Sequence, residues 1–125
     1  MADRKVVEYL RQGVSPFSIW FTGLDARAAA KVATALYRLE QGNFSNVKAV
    51  GKGVSEYRLD FGPGYRIYFG QESTKTVILL GGGSKKMQGK DIRTAQALWA
   101  GYKSGKNARG TASIRCVQHS IIIRD

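Results

Sequence analysis

The chain has 125 residues, 20 of them Lys or Arg and 9 Asp or Glu, for a formal charge of +11 and a pI near 10.1. Hydrophobic residues make up 43% and aromatics 10%, which supplies one packed core and excludes a compositionally disordered chain. One cysteine, Cys116, and one histidine, His119, exclude an internal disulfide, a Cys-rich metal site and a His pair for zinc.

No apolar run approaches the roughly 20 residues that span a bilayer. The opening MADRKVVEYLRQG lacks the apolar middle segment of a secretory signal. A cytoplasmic protein without a membrane partner is therefore expected. Residues 104–125 hold four basic residues against one acidic, so +8 stays on the body of the chain. A basic body suits a polyanion, above all nucleic acid, or an acidic protein.

Lys5–Arg11 reads as a first strand. Ser15-Pro16 opens a helix, with Ser15 as cap and Pro16 in the first turn, where its missing N–H costs nothing. Val14 and Ile19 have the spacing of a hydrophobic staple. Phe17, Trp20, Phe21 and Leu24 recur at helical spacing, which marks a core stripe. Asp25 caps a second helix that runs to about Gln41. Its apolar face is Leu24, Ala28, Val32, Ala35, Leu36 and Leu39, and a basic row of Arg27, Lys31, Thr34 and Arg38 lies on another face. Such a row is most often solvated, and it is also a candidate contact for nucleic acid or a protein partner. Gly42 ends the helix in a left-handed conformation. The two helices are expected to form an antiparallel hairpin.

Asn43–Gly53 reads as a loop. Val54–Phe61, Tyr65–Gly70 and Thr76–Leu80 read as strands of an antiparallel meander, with Gly62-Pro63-Gly64 as a tight turn. Gly81-Gly82-Gly83 reads as the break of the third strand, in a loop that resembles a phosphate cradle but is not a Walker motif. A last helix is expected from about Gln88 to Lys103, with Ile92, Ala95, Trp99 and Tyr102 on one face. Residues 104–125 read as an appendage to a domain of residues 1–103. Cys116 and His119 lie in it, which weighs against a catalytic part for either. The fold class is α+β: an antiparallel sheet with an N-terminal helical hairpin on one face and a short C-terminal helix.

Side chains alternate along a strand. If Tyr57, Leu59, Tyr65, Ile67 and Phe69 face the helices, then Glu56, Arg58, Arg66 and Tyr68 share the open face of one hairpin. Two guanidiniums suit a scissile phosphate and the charge growing on its oxygens. RNA brings its own 2′-hydroxyl nucleophile, so the protein needs only to orient it and move protons. Glu56 is a candidate base, and Tyr68 a candidate proton donor or stacking platform. The bland alternative is cross-strand Glu–Arg pairing on a solvated sheet.

The succession Pro16-Phe17…Trp20…Leu24, Leu39-Glu40-Gln41-Gly42-Asn43, Gly53-Val54-Ser55-Glu56-Tyr57-Arg58, Gly62-Pro63-Gly64-Tyr65-Arg66-Ile67-Tyr68-Phe69, Leu79-Leu80-Gly81-Gly82-Gly83 and Lys85…Gln88…Asp91-Ile92…Ala95 resembles the phage-derived addiction module killer branch of the RelE/ParE (RelE/HigB-like) toxins. The resemblance covers roughly residues 5–103. It implies the toxin of a type II toxin–antitoxin system, a ribosome-dependent mRNA endoribonuclease (mRNA interferase) that inhibits translation and arrests growth. It implies attack by the RNA 2′-hydroxyl without a metal or other cofactor. The expected partners are mRNA on the ribosome and a cognate antitoxin of helix-turn-helix type. Carried over by motif, Arg66 is the phosphate-binding arginine, Arg58 a basic strand residue, Glu56 a characteristic glutamate of the branch and Lys85 a loop lysine; Tyr68 completes the candidate catalytic set. Lys48, Lys86, Arg27 and Lys31 are the candidate RNA contacts. Ser84 stands where the branch usually has Asp. The alternatives are a ParE-like inhibitor of DNA gyrase and a non-catalytic RNA-binding module.

Overall fold

A computed structural model describes residues 3–109 and 114–117. It is a mixed α+β fold in the order β1 (Lys5–Tyr9), α1 (Pro16–Thr22), α2 (Ala26–Glu40), β2 (Val47–Gly51), β3 (Val54–Leu59), β4 (Tyr65–Glu72), β5 (Thr76–Ser84), α3 (Gln88–Arg109) and β6 (Ile114–Cys116). The strands form one sheet in the order β2-β3-β4-β5-β1-β6.

Both N-terminal helices start where their caps dictate. Ser15 Oγ accepts from the Ser18 N–H at 3.0 Å, and Asp25 Oδ1 accepts from the Ala28 N–H at 2.8 Å. Gly42, at φ +80°, closes α2: its N–H donates to Leu39 O and that of Asn43 donates to Arg38 O. Val14 and Ile19 do not bury one another as a staple; they are 51% and 64% exposed.

Phe17 and Phe21 of α1 join Ala29, Val32, Ala35, Leu36 and Leu39 of α2 in one core against Tyr57, Leu59, Ile67, Phe69, Val77 and Leu79 of the sheet. The opposite face carries a second core, in which Ala95, Leu98, Trp99 and Tyr102 of α3 cover Val7, Val54, Tyr68, Ile78 and Leu80. Helices therefore lie on both faces of the sheet, and the face expected to be open is partly roofed by α3.

Several expectations change. The sheet is not purely antiparallel, because β1 lies parallel to β5, with Lys5 opposite Thr76 and Glu8 opposite Leu79. The central strands are thus buried from both sides, as parallel pairing requires. The stretch expected as a loop before Val54 contains β2, antiparallel to β3. The glycine triplet does not end β5, which continues to Ser84 paired with β4. A Cβ at Gly82 would fall inside the indole of Trp20, and one at Gly83 inside the carboxylate of Asp91. These glycines are seats for side chains that pack across the strand, not a phosphate cradle. The last helix is not short: it runs 22 residues to Arg109, so the boundary expected after Lys103 falls within it. Beyond it, Ile114–Cys116 adds antiparallel to β1 as the sixth strand.

Candidate nucleic-acid interface

The register of β2, β3, β4 and β5 sets the site. Arg58 is directly opposite Arg66, and Arg66 opposite Gly83. One row away, Lys48 is opposite Glu56, Glu56 opposite Tyr68, and Tyr68 opposite Gly81. Directly opposed residues of an antiparallel pair project to the same face. The alternation read from the sequence therefore gathers Glu56, Arg58, Arg66 and Tyr68 on one face, and it adds Lys48.

Glu56 organises the group. It is fully buried. Arg58 Nε donates to its Oε2 at 2.8 Å, and Gln88 Nε2 lies 2.9 Å from Oε1 and 3.1 Å from Oε2. Arg66 Nε lies 3.9 Å from Oε1, and Arg66 Nη1 donates to Tyr65 O at 3.1 Å. A buried carboxylate is tolerable only with such partners. Both oxygens are engaged, so Glu56 is a positioning group and not a free base. Its two arginines differ: the Arg66 side chain is 6% exposed and that of Arg58 42%. Arg58 presents its guanidinium to solvent while Arg66 backs it.

Lys85 joins at the end of the sheet. Its backbone N–H donates to Gly64 O at 2.6 Å, in the turn that precedes Arg66. A Cβ on Gly64, at φ +78°, would lie 3.3 Å from Lys85 Cβ and 3.5 Å from Arg66 Nη1. The Gly64 turn thus brings strand and loop cations together. Lys85, Lys86 and Lys48 are all exposed.

Tyr68 departs from expectation. It is 1% exposed beneath α3, and its hydroxyl has no hydrogen-bond partner. Burial above all, then the carboxylates of Glu56 and Asp91, push its pKa far up, against a smaller opposing pull from Arg66. It is held as a neutral phenol and offers no stacking face to solvent. Burial likewise raises the carboxyl of Asp91, against the neighbouring Lys90.

Arg27 and Lys31 lie apart from this group, on α2. Both sit over the ring of Phe61, at 5.6 and 5.5 Å from its centroid. Beside them a groove of about 280 Å³ runs between α2 and the end of β3, lined by Lys31, Thr34, Arg38, Asn46, Arg58 and Asp60 among others. Arg58 reaches both regions, so the basic row and the sheet cations meet at one residue.

Sequence reasoning missed Gln88 and Asp91 as site residues, although both stand in the segment that carries the family resemblance. It also missed Glu8, buried in β1, which accepts from Ser18 Oγ at 2.5 Å and lies 3.5 Å from Arg115 Nη2. The available signal was an acid inside the apolar run Val6-Val7-Glu8-Tyr9. Cys116 is an exposed thiol on β6, and His119 lies outside the described residues. Among the described residues no three His, Cys, Asp or Glu cluster as metal ligands, and no helix is long and apolar enough to cross a membrane.

Fold and site together define a mixed α+β protein whose cationic surface is organised around a buried acid. The chain belongs to the same family as an uncharacterized protein of Haemophilus influenzae, to which it is 43% identical over 83 residues, 66% of this chain and 84% of that protein. No family model and no solved structure matches it.

Proposed function

We propose that the chain is the toxin of a type II toxin–antitoxin pair, a RelE/HigB-like endoribonuclease that cuts mRNA on the ribosome in the cytoplasm and is neutralised by an acidic surface of its antitoxin. The observation that carries this reading is the arginine pair Arg58–Arg66, set opposite each other across β3 and β4 and oriented by the buried Glu56. Guanidiniums fixed in this way match the oxygens of a phosphodiester, and they need no reorganisation as charge builds there. Lys85 adds a third cation at the same end. In the reaction the 2′-oxygen bonds to phosphorus and gives up its proton. The bond from phosphorus to the 5′-oxygen breaks, and that oxygen takes a proton. The products are a 2′,3′-cyclic phosphate and a 5′-hydroxyl. Arg58 and Lys85 hold the phosphoryl oxygens with Arg66 behind them; Glu56 holds Arg58, and Gln88 holds Glu56.

One observation favours a second reading. Glu56 has both oxygens engaged and Tyr68 is covered, which suits an RNA-binding module without chemistry of its own. Induction in growing cells with mapping of mRNA 5′ ends separates the two. In-frame cuts in translated messages, lost in Arg58→Ala and in Arg66→Gln, support the nuclease. Growth arrest without new mRNA ends points to another target such as gyrase, and no arrest to a binding module.

A further inference from the structure

Beside the arginine pair lies a cavity of about 180 Å³, framed by Pro16 of α1, by Tyr68 and Leu80, by the backbone of Gly81 and Gly82, and by Asp91, Thr94, Ala95 and Leu98 of α3. It exists because β1 stops pairing with β5 at Leu79, whereas β5 runs on to Ser84 bonded to β4 alone among the described strands. A bulge next to Tyr68 shifts the register there.

Two features mark it as a ligand site. Gly82 and Gly83 are required by the side chains packed on them, but a Cβ at Gly81 would meet nothing within 4 Å, so the space above that residue is open. Tyr68 lines the same space, and its hydroxyl is buried without a partner. Buried polar groups nearly always have one. The cavity otherwise offers apolar walls and one carboxylate, Asp91.

At about 180 Å³ the cavity has the volume to take a ring system of purine size. Gly83, on which Asp91 packs, is the cross-strand partner of Arg66, and Gly81 is that of Tyr68. Two residues along a strand separate them, roughly 7 Å, which is the reach from a nucleotide's phosphate to its own base. We propose that this cavity takes the base of the nucleotide whose phosphate Arg58 holds, and that Asp91 selects guanine. Guanine presents two adjacent donors, N1–H and N2–H, to the carboxylate. Adenine turns a lone pair at N1 toward the carboxylate.

The inference rests on the RNA-binding reading above, and the test separates the two. NMR titrations of the full-length protein with GMP, AMP and inorganic phosphate follow the amides of Gly81, Gly82 and Thr94. GMP is expected to shift them saturably, with a preference over AMP of about tenfold. Phosphate alone is expected to shift only the Arg58–Arg66–Lys85 region. Gly81→Leu, which places a side chain in open space, abolishes the GMP shifts and keeps those from phosphate. Asp91→Asn removes the preference for GMP over AMP. If GMP, AMP and phosphate shift the same resonances, the cavity holds water or a partner's side chain and the proposal fails. It fails equally if a folded Gly81→Leu protein binds GMP as before. Guanine-selective shifts without mRNA cuts in cells keep the base site and remove the nuclease; cuts without selectivity do the reverse.

Discussion

Glu56→Gln separates the buried acid's charge from its shape. Glutamine fills the same volume and still meets Gln88, but it no longer balances Arg66, which is 5% exposed and 3.9 Å from Oε1. At an effective dielectric of about 20 the gross attraction at that distance is about 4 kcal/mol, before desolvation is counted. The Arg58 pair is shorter, but its side chain is 42% exposed, so it adds at most about 1 kcal/mol. A loss of about 2–4 kcal/mol is therefore expected, most of it from stranding a buried guanidinium. Urea denaturation with fixed m-value reads it directly. A second variant assigns the cause. Arg66→Met alone strands Glu56 in part, but combined with Glu56→Gln it leaves no unbalanced buried charge. The double variant should recover about half or more of the loss from Glu56→Gln. A loss below about 1 kcal/mol for Glu56→Gln, or strict additivity in the double variant, would refute a glutamate that holds the arginine pair in place.

Tyr68→Phe removes a buried hydroxyl without a partner. It should be neutral, or stabilising by up to about 1 kcal/mol, in thermal unfolding. The same hydroxyl predicts an alkaline limb. Tyr68 keeps its proton in the fold above the ordinary value of 10.0, and the unfolded chain loses its own near that value. The native state thus binds more protons above about pH 10, stability falls as pH rises there, and Tyr68→Phe should flatten the fall while Tyr102, also raised by burial, sustains part of it. Arg58→Ala should leave stability within about 1 kcal/mol of wild type, weaken RNA binding and lower the salt slope by about one, as fluorescence anisotropy across a salt series would show. Gly82→Ala drives a methyl group into the Trp20 ring and should cost about 1–3 kcal/mol with altered near-UV circular dichroism.

Local rules were legible in the sequence. The caps Ser15 and Asp25, the left-handed stop at Gly42 and the apolar face of α2 follow from chemistry within a few residues, and all stand in the structure. The period-two alternation also placed Glu56, Arg58, Arg66 and Tyr68 on one face. Nothing local says what covers that face. Ile92, Ala95, Trp99 and Tyr102 read as an apolar helix side, but which side of the sheet receives it is a tertiary matter. That choice buries Tyr68 and brings Gln88 to Glu56. The glycine triplet misled for the same reason. Glycine in isolation reads as a breaker, whereas Gly82 and Gly83 are demanded by Trp20 and Asp91, which come from opposite ends of the chain. β2 escaped notice because it is an edge strand whose residues are all at least partly exposed, so it lacks the alternation that marks a half-buried strand.

The covering of that face carries a mechanistic consequence that can be tested on the purified protein. General-base catalysis needs a group within hydrogen-bond reach of the 2′-hydroxyl and free to accept its proton. Glu56 is saturated by Arg58 and Gln88, and Tyr68 is a neutral phenol under α3. What the chain offers at its surface is a cationic clamp of Arg58 and Lys85 backed by Arg66. A clamp alone orients a phosphate and stabilises charge without removing the proton. On the proposed nuclease reading, purified protein should therefore bind single-stranded RNA with strong salt dependence and leave it intact over hours, and programmed ribosomes should bring about cutting of the bound message. The assay compares end-labelled RNA with and without ribosomes, at matched protein and salt. Cutting of naked RNA at a rate comparable to that on ribosomes would mean that the protein supplies its own base, and the engagement of Glu56 would then have to be relieved when RNA binds. Retained cutting in Glu56→Gln would exclude even that, leaving Lys85 of the clamp as the exposed group at the site.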